Sequence, residues 1–360
     1  MENKEKIAVV ALSGGLDSSV TAFLLQQEGY KVIGLTGKMF CSDACESIIK
    51  NAKDVANMLG IEHYIYDASK TFKKEVMDNF LNCYKSGETP NPCILCNKFI
   101  KWGELFDFAV NELHADIFAT GHYANIIEKD GVFKIYPADD EHKDQLYFLF
   151  RLSQEKLAKT RFPLSKYKKS EVRELAQKYN LPSKSSKESQ DICFIQKPMT
   201  TKKYLLENLN SQKGDFIEIN TNKKLGEHDG YFQYTIGQRK GIGIAHPFPL
   251  YVIDIDAQNN IVYVGAEEFL QKTSVVATDI NFPTPYQECE FDAFVKIRYN
   301  MPAQKAHIKI ESDKILAEFY EPVTSVTSGQ SLVIYDLHDK HLIGGGRIIK
   351  NNNELNALMP

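Results

Sequence analysis

Apolar positions in the first third of the chain recur in two alternating rhythms. The short runs "IAVVAL", "YKVIGLTG", "HYIYDA" and "ADIFATGHY" are separated by "VTAFLLQQEGY", "CESIIKNAKDVANMLG" and "FKKEVMDNFLNCYKSG", where apolar residues return every three or four positions. The first rhythm suits buried strands and the second amphipathic helices, so their alternation predicts βαβ units around a parallel sheet. The second helix is the clearest. Ile48, Ile49, Ala52, Val55, Ala56 and Leu59 form one stripe, and Gly60 is placed to end it.

Past residue 205 the rhythm changes to short alternating segments such as "GDFIEI", "YVIDID", "NIVYVG", "AHIKIE", "ILAEFY" and "SLVIYDL", punctuated by Gly, Asn, Asp and Pro. This is all-β patterning. The expected architecture is an α/β parallel-sheet domain at 1–205, a small β-rich module at 206–273 and a C-terminal β-barrel at 274–360.

A length of 360 residues, 43% of them apolar, supplies enough core for two or three domains. No apolar run approaches the roughly 20 residues that span a bilayer. The start "MENKEKIAVVAL" lacks a small-residue cleavage site, so a cytoplasmic location without a membrane partner is expected. Cysteines stand at 41, 45, 83, 93, 96, 193 and 289, too scattered for a disulfide scaffold; in a reducing compartment, clustered ones point to metal or sulfur chemistry. The net charge of −4 gives no global sign of nucleic-acid binding. One stretch does: residues 151–187 hold eleven Lys or Arg against three Glu. Such a run is either a solvated helix face or a local RNA surface.

"IAVVAL" leads directly into "SGGLDSS" and then a helix with Val20, Phe23 and Leu24 at helical spacing. In that strand–loop–helix arrangement Gly14 and Gly15 let backbone amides approach an anion. Ser13, Ser18 and Ser19 add hydroxyls, and the helix N-terminus adds its positive end. An uncompensated Asp17 would repel phosphate, so it either holds Mg²⁺ or orients the loop. The string is neither a Walker A loop nor a G-x-G-x-x-G fingerprint. It resembles the PP-loop of ATP pyrophosphatases, an adenine nucleotide alpha hydrolase-like superfamily whose members cleave ATP to AMP and pyrophosphate to adenylate an oxygen.

"TPNPCILCNKFIKWG", residues 89–103, sets Cys93 and Cys96 before a stripe of Phe99, Trp102, Phe106, Ala109, Val110 and Leu113. A helix N-terminus there would favour thiolate. Metal binding, redox chemistry and plain packing all remain open for an isolated C-x-x-C. Cys193, in "KESQDICFIQK", is a candidate partner.

The loop at 13–19, "TPNPCILCNKFIKWG", "ATGHY", "KDQLYFL", "SQDICFI", "YTIGQRKGIGI", "KIRYN" and "TSGQSLVIYD" occur in the order seen in tRNA-specific 2-thiouridylases, which the chain resembles over nearly its whole length. The resemblance implies ATP-dependent replacement of the 2-oxygen of a wobble uridine by sulfur, in tRNAs for Lys, Glu and Gln. It implies ATP contacts at Ala11, Leu12, Ser13, Gly14, Gly15, Leu16, Asp17, Ser18, Gly37 and Gly121. Gly37 stands where the family commonly has methionine, with Lys38 and Met39 alongside. Asn91 and Pro92 would frame the target base. His122, Lys143, Asp144, Gln145, Arg298, Tyr299 and Gln330 would contact tRNA, and the basic run would become a tRNA surface. An upstream sulfur carrier or desulfurase would load a persulfide on Cys193. Cys96 would complete transfer, leaving a Cys96–Cys193 disulfide.

Cys93 replaces an aspartate that many members use as acid or base. With it, Cys93, Cys96 and Cys193 also resemble the ligand set of the iron–sulfur-dependent thiolation enzymes, where three cysteines hold a [4Fe–4S] cluster with one open position. Three cysteine ligands suit such a cluster carrying sulfide more than a structural zinc, because RNA must enter. Cys41 and Cys45 read as incidental or as a sulfur-delivery accessory. Two rival classes are a PP-loop synthetase adenylating a small molecule and a non-catalytic RNA-binding or sulfur-relay protein.

Overall fold

A computed structural model describes residues 5–40, 42–182, 192–286 and 288–350. Strands β1 (Ile7–Ala11), β2 (Lys31–Lys38), β3 (Glu62–Asp67) and β4 (Ile117–Ala119) lead to a hairpin, β5 (Asn125–Lys129) and β6 (Val132–Tyr136), and then to β7 (Thr160–Arg161). The parallel sheet runs β3-β2-β1-β4-β7. Successive side chains of β1 enter opposite cores. Ala8 and Val10 pack with Ala22, Leu25, Val55 and Ala56, whereas Val9 packs with Leu35, Trp102 and Phe118. Burial on both faces explains why this strand reads as an unbroken apolar run.

Helices α1 (Leu16–Gln27) and α2 (Asp43–Leu59) follow β1 and β2. The Ser42 hydroxyl caps α2 by accepting from the Cys45 amide at 3.3 Å, and Gly60, at φ 66°, ends it as its position predicts. The chain steps outward from β1 to β3, then returns to β4 on the other flank of β1. The crevice beyond the carboxyl ends of β1 and β4 is therefore the topological switch point where open α/β sheets bind ligands.

The segment after "TPN" is helical in three stretches, Pro92–Leu95, π turns over Cys96–Leu105 and Phe106–Asn111, with a kink at Gly103, whose φ −97° and ψ −108° are not helical. Because π turns join residue i to i+5, Cys96 and Lys101 lie one turn apart.

A second sheet, β10-β11-β8-β9, contains β8 (Gly214–Glu218), β9 (Lys224–His228), β10 (Tyr251–Asp256) and β11 (Ile261–Gly265). Six antiparallel strands then close a barrel in the order β12-β15-β14-β13-β16-β17. They are β12 (Gln271–Asn281), β13 (Glu290–Lys296), β14 (Gln304–Glu311), β15 (Lys314–Thr324), β16 (Ser331–Tyr335) and β17 (Leu342–Ile348). Phe291, Ala293 and Val295 of β13 meet Ile315, Ala317 and Phe319 of β15 inside it. The α/β sheet, the β-rich module and the terminal barrel match the architecture expected from the two sequence rhythms.

The barrel is docked firmly on the parallel-sheet domain. Val333, Tyr335 and Leu342 share a core with Ile94, Cys96 and Phe150. Arg347 pairs with Glu88 at 2.6 Å, and the Thr89 amide donates to the Ser328 carbonyl at 2.9 Å. The "TPNPC" segment thus enters its helix held from both sides. Among the described residues no helix is long and apolar enough to cross a membrane.

Candidate functional site

The glycine loop is finished by its own hydrogen bonds. Ser18 Oγ accepts from the Ser13 amide at 3.2 Å and donates to the Gly15 carbonyl at 3.1 Å; Ser19 Oγ donates to the same carbonyl at 2.8 Å. Leu12 is core, its carbonyl accepting from Thr36 Oγ1 at 2.5 Å, so the loop leaves β1 at a fixed angle. Gly14 is required by close approach, since a Cβ there would lie 2.5 Å from the Ala52 amide of α2. Gly121, just past β4, is pressed against the first turn of α1, where a Cβ would stand 2.8 Å from Asp17. Ala11 through Ser18 and Gly121 therefore meet at the switch point. Gly37 lies near the carboxyl end of β2, two residues past Leu35, the partner of Ala11, and its missing Cβ accommodates Leu105 at 3.2 Å.

Asp17 is not uncompensated. Both its carboxylate oxygens accept from Lys169 Nζ at 2.7 Å, and one accepts from Tyr123 Oη at 3.0 Å. In this structure a buried lysine supplies Asp17 with a cation from within the protein, which is what the loop-orienting reading of Asp17 needs. Tyr123 in turn accepts from the Gln145 amide through its carbonyl at 3.0 Å and donates its amide to Gln145 Oε1 at 3.1 Å. This joins the loop to Lys143, Asp144 and Gln145.

Cys93, Cys96 and Cys193 are brought within electrostatic reach of one another, although 97 residues separate Cys96 from Cys193 in sequence. Cys96 is buried; Cys93 and Cys193 are open to solvent but hemmed in by surrounding protein, as at the bottom of a cleft. The segment at Cys193 is anchored by Phe194, whose ring meets Phe80 at 5.3 Å and Phe72 at 5.9 Å. All three are free thiols, so the expected Cys96–Cys193 disulfide is not formed in this state. The expectation of a lowered Cys96 pKa is reversed. Burial pushes Cys96 up to about 11, and burial plus its neighbouring thiols pushes Cys193 up to about 12. Cys93 is likewise raised, by burial. The helix start at Pro92 is short and its dipole weak against that desolvation. Lys101 is the opposing influence at each of the three sulfurs.

Lys101 Nζ donates to His122 Nε2 at 3.4 Å, and His122 Nδ1 lies 2.7 Å from Thr120 Oγ1. With Nε2 accepting, the ring is neutral, and burial together with Lys101 holds its pKa well below the imidazole range. His122 is 9% exposed and packed against Trp102 and Phe162. Its two ring nitrogens are both engaged within the protein, by Lys101 and Thr120.

The other residues expected at tRNA also make internal contacts. Gln330 Nε2 donates to the carbonyls of Thr89 at 2.9 Å and Pro90 at 3.1 Å; Arg298 donates to the Ile236 carbonyl at 3.0 Å and to Thr327 Oγ1. Tyr299 packs on Phe148 at 4.5 Å, Asn91 bonds to Tyr147, and Pro92 is buried. Asp144, enclosed beside Tyr299 and Tyr335, is raised to about 6 by burial. Of the basic run, residues 183–187 lie outside the described residues. Arg151, Lys156 and Lys169 are spent on Asp279, Asp107 and Asp17, whereas Arg161, Lys166, Lys168, Arg173 and Lys178 are exposed. Cys45 is buried, and Cys41 lies outside the described residues.

Sequence reasoning missed Lys101, Lys169 and Tyr123. Lys101 was visible only as the second lysine of "CNKFIKWG", five residues past Cys96. Lys169 sat anonymously in the basic run.

A self-bonded anion loop at a sheet's switch point, with three cysteines and two β modules, defines a nucleotide-activating enzyme built for sulfur or metal chemistry. Residues 5–197 match the tRNA methyl transferase HUP domain, 202–266 the tRNA methyl transferase PRC-barrel domain and 272–348 the aminomethyltransferase beta-barrel domain. The chain is 42% identical to tRNA-specific 2-thiouridylase MnmA 1 of Clostridium tetani (strain Massachusetts / E88), over 97% of its own length and 98% of that protein's. It is also 42% identical to MnmA 2 of Thermoanaerobacter sp. (strain X514) and to MnmA of Pelobacter propionicus, in each case over 97% of this chain and 99% of the relative. The chain belongs to the tRNA-specific 2-thiouridylase family.

Proposed function

We propose that the chain is a tRNA-uridine 2-sulfurtransferase: it uses ATP to adenylate O2 of the wobble uridine and then replaces that oxygen with sulfur. The gathering of Cys93, Cys96 and Cys193 around Lys101, in a domain that opens with a PP-loop, carries this reading. The HUP-domain match and the full-length kinship to thiouridylases support ATP and tRNA as substrates. A methyl transfer, the activity named in two of the domain descriptions, would leave the ATP loop and the thiols without work.

In this reading Ala11–Ser18 and Gly121 hold the ATP phosphates, with Mg²⁺ accompanying them as counter-ion. O2 of the uridine attacks the α-phosphorus and pyrophosphate leaves. The terminal sulfur of a Cys193 persulfide, loaded by a sulfur carrier or desulfurase, attacks C2 and AMP leaves. The Cys96 thiolate then attacks Cys193 Sγ, breaking the S–S bond to the base, and an external dithiol reduces the resulting disulfide. Cys93, Cys96 and Cys193 also fit a [4Fe–4S] cluster, which would supply an open iron to carry sulfide. Two of the three thiols, Cys93 and Cys193, are open to solvent, which suits a cluster with an accessible iron more than a closed structural zinc site.

The test incubates the purified protein with ATP, Mg²⁺, a sulfur source and tRNA for Lys, Glu or Gln, and measures 2-thiouridine and AMP. tRNA-dependent AMP formation with thiolation is expected. AMP formation without tRNA, on a small-molecule acceptor, would replace this reading with that of a synthetase. Iron and acid-labile sulfide, assayed after anaerobic purification, separate cluster from persulfide.

A further inference from the structure

The "QRKGIGIAHPFPL" loop, residues 238–250, lies between β9 and β10 of the second sheet and has no role in the chemistry above. It encloses an open hollow of about 440 Å³ lined by Arg239, Gly241, Gly243, His246 and Phe248. Its frame is rigid. Ile242 and Leu250 are buried in the module's core, Ile244 packs against it, and His246 Nε2 stands 3.4 Å from Glu218 at the end of β8. Its face is the opposite. Arg239 and Lys240 are exposed, Phe248 is 42% exposed, and among the described residues the amides of Gly243, Ile244 and Ala245 donate to no protein acceptor. A loop pinned by its apolar residues while presenting two cations, successive unused amides and an open aromatic is pre-organised for an anion attached to a flat ring.

Charge and place name the occupant. Two exposed cations beside unused amides suit a polyanion. The loop leaves from Ile236, whose carbonyl holds Arg298, and Gly237, where a Cβ would lie 2.4 Å from Ser325 Oγ, at the junction of the central module with the barrel. We propose that the 238–250 loop is a second RNA-docking site, its amides and Arg239 and Lys240 taking backbone phosphate and Phe248 taking a nucleotide face. This rests on the tRNA reading of the main site and extends it onto the central module.

The test compares the full chain with Arg239→Gln/Lys240→Gln and Phe248→Ser variants by tRNA affinity against salt concentration and by ribose footprinting. Wild-type thiolation and binding must be present first; their absence is a failure of the function above, not of this site. For the double variant the expected result is a salt slope reduced by roughly 1.5 to 2, from two lost phosphate contacts. One discrete footprint segment should vanish, KM for tRNA should rise about tenfold, and kcat and melting temperature should stay unchanged. Phe248→Ser should lose the same footprint with the slope retained. Unchanged slope and footprint in the double variant would overturn the proposal. So would normal tRNA binding combined with slowed sulfur delivery from a carrier protein, which would make the loop a protein-docking surface.

Discussion

The glycine loop and the thiol cleft handle charge in opposite ways. The loop is local: within seven residues Ser13, Gly15, Ser18 and Ser19 satisfy one another, and its one carboxylate is neutralised by Lys169. The cleft is assembled from two distant segments, and burial keeps its three sulfurs protonated with a single nearby lysine in opposition. The first region is ready to receive an anion. In the second, burial disfavours thiolate at all three sulfurs, so any chemistry there depends on what substrate or a sulfur donor does to those surroundings.

The largest effect should come from separating the two regions. Cys96→Ala and Cys193→Ala are each expected to lower 2-thiouridine formation by roughly a thousandfold or more while tRNA-dependent AMP formation continues. Loss of AMP formation along with thiolation would mean that the regions are not independent. Cys93→Ala sharpens the outcome: a cluster enzyme loses its iron and its activity together, whereas a persulfide enzyme keeps its activity.

On the loop side, Lys169→Met leaves Asp17 with Tyr123 alone. Breaking a buried pair costs about 3–5 kcal/mol, and Asp17, with a third of its side chain exposed, should bring this to about 2–3 kcal/mol. A melting temperature lower by ~5–10 °C is expected. The Asp17→Asn/Lys169→Met double variant should recover most of it without recovering ATP affinity. A single variant as stable as wild type would show that the pair is incidental.

What the sequence disclosed follows the same division. β1, its glycine loop and α1 were legible because their hydrogen bonds and apolar contacts are close in sequence. The barrel was legible from strict alternation, as in Phe291, Ala293 and Val295. Charges compensated across the fold were not. Nothing near Asp17 announces a lysine 152 residues away, and nothing in "ATGHY" says that His122 is buried against Trp102. The thiol pKa was misjudged for the same reason. A helix start is visible in sequence, but the mass of protein over it is not.

On the cleft side, Lys101→Gln removes the influence that favours thiolate. In the reduced, metal-free protein, alkylation of Cys96 and Cys193 should accelerate about tenfold per pH unit up to pH ~10, since both titrate near 11 to 12. The variant should react several-fold more slowly at pH 9, and Lys101→Arg should restore the rate. Stability moves the other way. Unfolded thiols ionise near pH ~8.5, so the stability contributed by the raised folded values is complete below that and is lost as pH climbs toward 11 to 12. Equal alkylation rates in wild type and Lys101→Gln would remove Lys101 from the cleft's chemistry.

The smallest effect tests the segment joined to the glycine loop through Gln145 and Tyr123. Asp144 follows Lys143, and Leu146 donates its amide to Asp144 Oδ1 at 3.4 Å, but burial raises its pKa to about 6. A carboxyl whose folded pKa exceeds its unfolded value of ~3.9 contributes stability below that pH and loses it as pH rises through about 6. Asp144→Asn, which stays neutral, should therefore raise the melting temperature by a few degrees at pH 8 and leave it unchanged at pH 4. The same substitution should flatten any change in tRNA affinity between pH 5.5 and 7, because only the protonated form approaches RNA without repulsion. If Asp144→Asn instead weakens tRNA binding equally at both pH values, Asp144 acts as an acceptor for an RNA hydroxyl or amine. Its ionised form is then the functional one, and the burial that opposes ionisation is a cost carried for recognition.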